Sequence, residues 1–193
     1  MHPLKKLTLI SFLAATLSTQ LTGCFPVVAG GVAAGGAMAA DRRTSGAYVE
    51  DQGIELKAKK TIIEQVGDSV HASITSYNRN VLITGEAYDQ AAKNKTEAIV
   101  KDLDNVKNVT NELTIGPKTS LTSRSNDTYI TSKIKAKMVK ESRFPANYVK
   151  VVTENSAVYL MGLVTHQEAE DAVDIARNTD GVEKVVKVFE YID

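Results

Sequence analysis

From about residue 46 onward the chain is written twice. Asn80-Val-Leu-Ile-Thr-Gly85 aligns with Ala157-Val-Tyr-Leu-Met-Gly162 at an offset of 77, and Asp104-Asn-Val106-Lys-Asn-Val109 aligns with Asp180-Gly-Val182-Glu-Lys-Val185 at an offset of 76. One additional residue near Tyr88–Ala91 accounts for the slip. Two copies of about 70 residues make two small, similar domains, because a solenoid needs three or more repeats to bury its core. The join, Gly116-Pro117-Lys-Thr-Ser-Leu-Thr-Ser-Arg-Ser125, has loop composition. The expected boundaries are therefore 46–116 for the first copy, 117–124 for a linker and 125–193 for the second.

Each copy carries the same order of periodicities. In the first, Ile54, Ala58, Ile62 and Val66 recur at helical spacing. Val70/Ala72/Ile74 and Val81/Ile83 then alternate on either side of Tyr77-Asn-Arg-Asn80, the signature of a hairpin. Asp89 is placed to cap a second helix, which ends near Asp104-Asn105, and a third strand should put Val109, Leu113 and Ile115 on one face. The second copy predicts a helix from about Asp127, strands Val149–Thr153 and Val158–Leu163, a helix from Thr165 and a strand Val185–Ile192. Thr165-x-x-Glu168 is a capping box. The expected fold class is α+β: two tandem αββαβ domains, each a three-stranded sheet covered on one face by two helices.

The N-terminus supplies an address. Lys5 and Lys6 precede the apolar run Leu7–Leu17, the layout of an export signal. Leu21-Thr22-Gly23-Cys24 follows and looks like a bacterial lipobox, in which the cysteine is acylated after cleavage before it. Cys24 is the sole cysteine, so no intramolecular disulfide or CxxC metal site is available. Phe25, rather than Asp, after the cysteine implies sorting to the outer membrane. Losing residues 1–23 removes two lysines from a balance of 23 basic and 23 acidic residues, leaving a formal charge of −2. Leu7–Ala40 contains no charge, but Pro26 and glycines at 23, 30, 31, 35 and 36 interrupt it. After cleavage about 16 of those residues remain, against the ~20 that span a bilayer. Residues 24–45 therefore read as a lipidated, Gly/Ala-rich tether, and several acyl chains make the anchoring stable.

With a glycine ending the second strand (Gly85, Gly162) and Gly181-Val182-Glu-Lys-Val185 leading into the third, the αββαβ unit resembles the BON domain. The first copy departs from this at Asn105, where the second has Gly181. A lipobox followed by two such units is similar to the dual-BON-domain outer-membrane lipoproteins. That resemblance implies a periplasm-facing lipoprotein that helps maintain envelope integrity, gathers at division sites, and binds anionic phospholipid through the first helix of its second BON domain.

Charge points to the same helix independently. The other three helices sum to −1, −1 and −3, whereas the one near 127–143 sums to +3 through Lys133, Lys135, Lys137, Lys140 and Arg143. On a helical wheel Ile130, Ile134 and Met138 form a core stripe, and Tyr129, Lys133 and Lys140 cluster beside it with Lys137 between. A tyrosine ring at headgroup level flanked by lysines suits an anionic membrane surface, each lysine contributing about 1 kcal/mol. The expected phospholipid-binding residues are Tyr129, Ile130, Lys133, Lys137 and Lys140.

No catalytic constellation is legible. The sequence has no GxSxG, P-loop, GxGxxG or HExxH motif. His71 sits in an alternating strand, and His166-Gln-Glu168-Ala-Glu170-Asp171 spreads around a helical turn where acids suit the helix dipole. The expectation is a non-enzyme with no cofactor, no metal and no nucleic-acid partner. Its partners are anionic phospholipid, the membrane that holds its acyl chains, and envelope-assembly proteins in a scaffold reading. A membrane-perturbing, haemolysin-like role is the remaining alternative. Cys24→Ala should leave the protein uncleaved and unlipidated; equal incorporation of radiolabelled palmitate by wild type and mutant would refute the lipobox assignment.

Overall fold

The computed structural model describes residues 41–193. The signal peptide, Cys24 and the tether up to residue 40 lie outside the described residues. Helix α1 (Ser45–Gln65) begins at Thr44, whose hydroxyl accepts from the Ala47 N–H at 3.1 Å. Strands β1 (Val70–Tyr77) and β2 (Asn80–Ala87) form the expected hairpin, with Ile74 opposite Ile83 and Tyr77 opposite Asn80. Helix α2 (Gln90–Lys101) is capped by Asp89, which accepts from the Ala92 N–H at 2.8 Å.

The third strand of the first copy differs from expectation. It is split into β3 (Asn108–Asn111) and β4 (Thr114–Ile115), each pairing in parallel with β2. The Asn111 carboxamide causes the break: its oxygen accepts from the Leu113 N–H, and its nitrogen donates to Glu97. Leu113 consequently turns into the core, whereas Ile115 is 54% exposed.

The second copy repeats the plan with α3 (Leu121–Glu141), β5 (Val149–Glu154), β6 (Ala157–Val164), α4 (His166–Arg177) and an unbroken β7 (Lys184–Tyr191). The capping box is formed, with Thr165 and Glu168 each accepting from the other's backbone N–H. Helix α3, however, starts at Leu121 under a Ser120 cap, so residues 121–124 are helix rather than linker. Asp127 lies inside the helix and is buried.

That buried aspartate has a job, and Asp51 has the same one. Asp51 accepts from the backbone N–H groups of Asn78 and Arg79 at 2.8 Å each and from the Ser76 hydroxyl at 2.6 Å. Asp127 accepts from the N–H groups of Asn155 and Ser156 at 2.9 and 2.8 Å. Both hairpin turns hold two consecutive residues at positive φ, Asn78 and Arg79 in one and Asn155 and Ser156 in the other. This is the turn whose twist matches paired strands. Glycine is absent from both, so the carboxylate offsets a backbone conformation that costs L-residues about 1–2 kcal/mol each.

Behind each helix pair lies a separate core. Ile54, Ala58 and Ile62 pack on Ile74, Val81 and Ile83 in the first copy. Ile130, Ile134 and Met138 pack on Val151, Val158 and Leu160 in the second. Full burial of each large apolar side chain contributes about 1.5–3 kcal/mol. The glycines two residues before the ends of β2 and β6 are required by close backbone approach. A Cβ on Gly85 would lie 2.0 Å from the His71 carbonyl oxygen, and one on Gly162 2.4 Å from that of Tyr148. Gly85 also has a φ of 112°.

The sheet faces turned away from the helices are not left to solvent. Tyr77 and Leu82 of the first copy meet Tyr159 and Met161 of the second in one buried cluster, with Val152, Val186 and Val188 at its margin. Around it, Asn78 and Asn80 donate to Glu190, Lys184 pairs with Glu112, and Lys150 pairs with Glu55. Burial beside Glu112 raises the Tyr159 phenol to about 12. The two copies are thus sealed sheet to sheet. Asp127→Ala should cost about 3 kcal/mol by stranding two turn donors, read as a lower urea midpoint; an unchanged midpoint would show that the turn holds itself.

Candidate functional site

The solvent side of α3 carries the expected membrane-facing residues, with one correction. Tyr129 is 63% exposed, and the Lys133 ammonium lies 5.3 Å from its ring centroid. Lys133 also donates to the Asp180 carbonyl at 3.1 Å and carboxylate at 3.3 Å. Lys137 donates to the Asn178 carbonyl just past the end of α4, where a helix dipole favours cations. Lys140 is exposed. Ile130, by contrast, is 1% exposed and belongs to the core, so it cannot touch a lipid surface. It lies beneath Gly181, where a Cβ would come within 3.2 Å of its side chain. This packing, with a φ of 94°, explains the glycine; Asn105 in the first copy adopts φ 67°, which asparagine tolerates better than most residues.

Arg143 does not add to the basic face. It pairs with Glu141, Asp171 and Asp174 at 2.7–3.5 Å. The counterpart helix α1 presents another surface altogether: Val49, Leu56 and Ile63, each seven residues apart, are all more than 60% exposed. Their equivalents on α3 are Ser125, Ser132 and Val139. Sequence reasoning followed charge and overlooked this apolar stripe, although the spacing was visible.

Two further features were not legible. The first is the lead-in segment. Arg42 forms a bidentate pair with Glu168 at 2.6 and 2.7 Å and donates to the Leu163 carbonyl at 3.0 Å. That pairing, above all the Arg42 hydrogen bond, holds the Glu168 carboxyl below its usual range. The described lead-in therefore contacts the second copy before α1 begins. The second is a cleft of about 490 Å³ between the copies, lined by His71 and Ser73 on β1, by α3, and by Thr153 and Glu154 on β5. Burial, then the neighbouring Glu86 and Asp127 carboxylates, raises the Glu154 pKa.

His166 is engaged elsewhere, stacked 4.0 Å from the Tyr191 ring with Nδ1 2.8 Å from Asp193. Among the described residues no three His, Cys, Asp or Glu side chains converge as a metal site, and no helix is long and apolar enough to cross a membrane.

The arrangement defines a class: a tandem of αββαβ units joined through their sheets, with an unequal pair of first helices. The BON domain family model matches residues 50–117 and 126–193, and the chain belongs to the BON family. It is 38% identical, over its whole length and 99% of the relative's, to the outer membrane lipoprotein DolP of Haemophilus influenzae. It is 32% identical to a 21 kDa hemolysin of Actinobacillus pleuropneumoniae, over 79% of each chain. It is 29% identical to the osmotically-inducible protein Y of Escherichia coli, over 72% of each. Lipobox and full-length relative agree, and the chain is an outer-membrane lipoprotein with two BON domains.

Because its pKa is raised in the fold, Glu154 opposes stability increasingly as pH rises above its unfolded value of 4.5. Glu154→Gln should therefore melt higher than wild type at pH 7, and the gap should close below pH 4.5. A gap that is constant with pH would contradict this.

Proposed function

We propose that this lipoprotein binds anionic phospholipid through α3 of its second BON domain and in that way supports envelope integrity, including at division sites. The observation that carries the reading is the exposed Tyr129 with Lys133, Lys137 and Lys140 along the flank of a helix whose adjoining stripe, Ile130, Ile134 and Met138, is locked into the core. An aromatic ring at headgroup depth and ammonium groups at phosphate level are the two components of interfacial binding. Lys133 is held by the Asp180 carbonyl and carboxylate and Lys137 by the Asn178 carbonyl, and an ammonium with three N–H donors can share itself with a headgroup phosphate. The acyl chains on Cys24 keep the domain near one leaflet, so a weak surface affinity is enough.

The scaffold reading draws on the apolar stripe of α1 and is compatible with the same molecule. A membrane-perturbing role is what the hemolysin relative's name would suggest, and vesicle dye release tests it in the same assay.

A lipid-free form beginning at Asp41 keeps the Arg42 and Arg43 contacts and is the form to use for flotation. It should float with vesicles containing anionic lipid and not with neutral ones, and binding should weaken with salt as screening shortens to ~8 Å. Tyr129→Glu should abolish flotation, and each lysine lost should weaken it by about 1 kcal/mol, several-fold in affinity. Tyr129→Glu touches neither the core stripe nor the end of α4, so its melt should stay within about 0.5 kcal/mol of wild type. Undiminished flotation of Tyr129→Glu and of a Lys133/Lys137/Lys140→Glu triple variant would overturn the proposal.

A further inference from the structure

The two copies meet reciprocally, so each position at their junction has a counterpart on the opposite side. Lys150 on β5 reaches Glu55 on α1. The counterparts are Ser73 on β1 and Thr131 on α3, and both line the open cleft. An ion pair on one side is thus replaced by two small hydroxyls on the other, and the space left is the cleft.

On the closed side the chain's own lead-in segment fills the groove. The Arg43 guanidinium lies 5.0 Å from the ring centroid of Tyr48 and 4.1 Å from that of Tyr77, and donates to Asp51 at 2.9 Å. The Arg42 guanidinium lies 3.7 Å from the Tyr148 ring centroid. The repeat offsets convert these four contact residues into Arg124, Glu154, Asp127 and His71. All four line the open cleft.

We propose that this cleft receives an arginine carried on an extended segment of a partner polypeptide, its guanidinium held by Asp127 and Glu154 as Arg43 is held by Asp51 and Tyr77. Asp127 uses its two oxygens on the turn just as Asp51 does, and Asp51 shows that such a carboxylate still accepts a guanidinium. Glu154 sets a carboxylate where the closed side has only the π face of Tyr77. Behind them Glu86 is 4% exposed, and its Oε2 makes no hydrogen bond among the described residues, although His71 Nδ1 lies 3.3 Å away.

The cleft also contains Arg124, whose Nε is likewise buried without a hydrogen bond, and Lys135 at its rim. These cations select for a segment that brings an acceptor with its arginine. The lead-in segment on the closed side carries such an acceptor beside its arginine, since Asp41 accepts from Arg43 at 2.6–3.1 Å. The recognised feature is therefore an acidic residue or free carbonyl close to an arginine in extended chain.

The test is calorimetric titration of the mature lipoprotein in detergent micelles with a capped peptide copying residues 40–45, Ala-Asp-Arg-Arg-Thr-Ser. The peptide should bind one to one, and its citrulline version should bind about tenfold more weakly. Glu154→Gln, which should melt no lower than wild type, should weaken binding by a similar factor. An Arg42→Ala/Arg43→Ala variant frees the closed groove and should bind two peptides. Failure of the wild type to bind, equal binding of the citrulline peptide, undiminished binding by Glu154→Gln, or a stoichiometry of one in the double variant would each overturn the proposal.

Discussion

A carboxylate buried in the middle of a helix, gripping the backbone of a hairpin turn, is the contact on which each half of this molecule depends. Asp51 and Asp127 join the first helix of their copy to the turn between its first two strands. That join sets three things at once: the register of the hairpin, the rotation of the helix against the sheet, and the face of each strand that looks inward. The turns carry Asn-Arg and Asn-Ser at positive φ rather than glycine, so they need a partner for their N–H groups. A carboxylate accepts both at once and makes stronger bonds than a neutral acceptor would.

The second organising contact is the seal between the sheets. A three-stranded sheet with two helices has one finished face, and its other face here is rich in Tyr77, Leu82, Tyr159 and Met161. Turning the two unfinished faces together completes both. The match is reciprocal in outline and unequal in detail, with the ion pair and arginine lead-in on one side and the hydroxyl-lined cleft on the other. The raised pKa of Glu154 marks a local cost to stability at that cleft, and such costs are commonly retained where a surface has a binding role. Arg42 ties the residues just before α1 to the copy that carries the basic helix.

The repeat, the hairpins, the capping residues Asp89 and Thr165 and the core stripe of α3 were all readable from spacing, because each rests on contacts within a few residues. Ile130 was misplaced among lipid contacts since it neighbours Tyr129 in sequence, while one helical step rotates a side chain by ~100°. Asp127 has the residue type that favours a helix start, yet Ser120 takes the role seven residues before it. Asn111 broke the third strand through side-chain bonds that no strand periodicity reports.

Local sequence alone therefore determined the number of domains, their αββαβ order, the lipobox and the one basic helix, since periodicity, capping and charge act over a turn or two of chain. The joining of the sheets, the binding of Arg42 and Arg43 to the second copy and to Asp51, the tie of Lys133 and Lys137 to the end of α4, and the cleft beside Glu154 were decided only by tertiary structure. Most of these link residues far apart in the chain: Arg42 and Glu168 are 126 positions apart, whereas Arg43 and Asp51 are only eight. Neither partner of such a pair carries a local mark of the other.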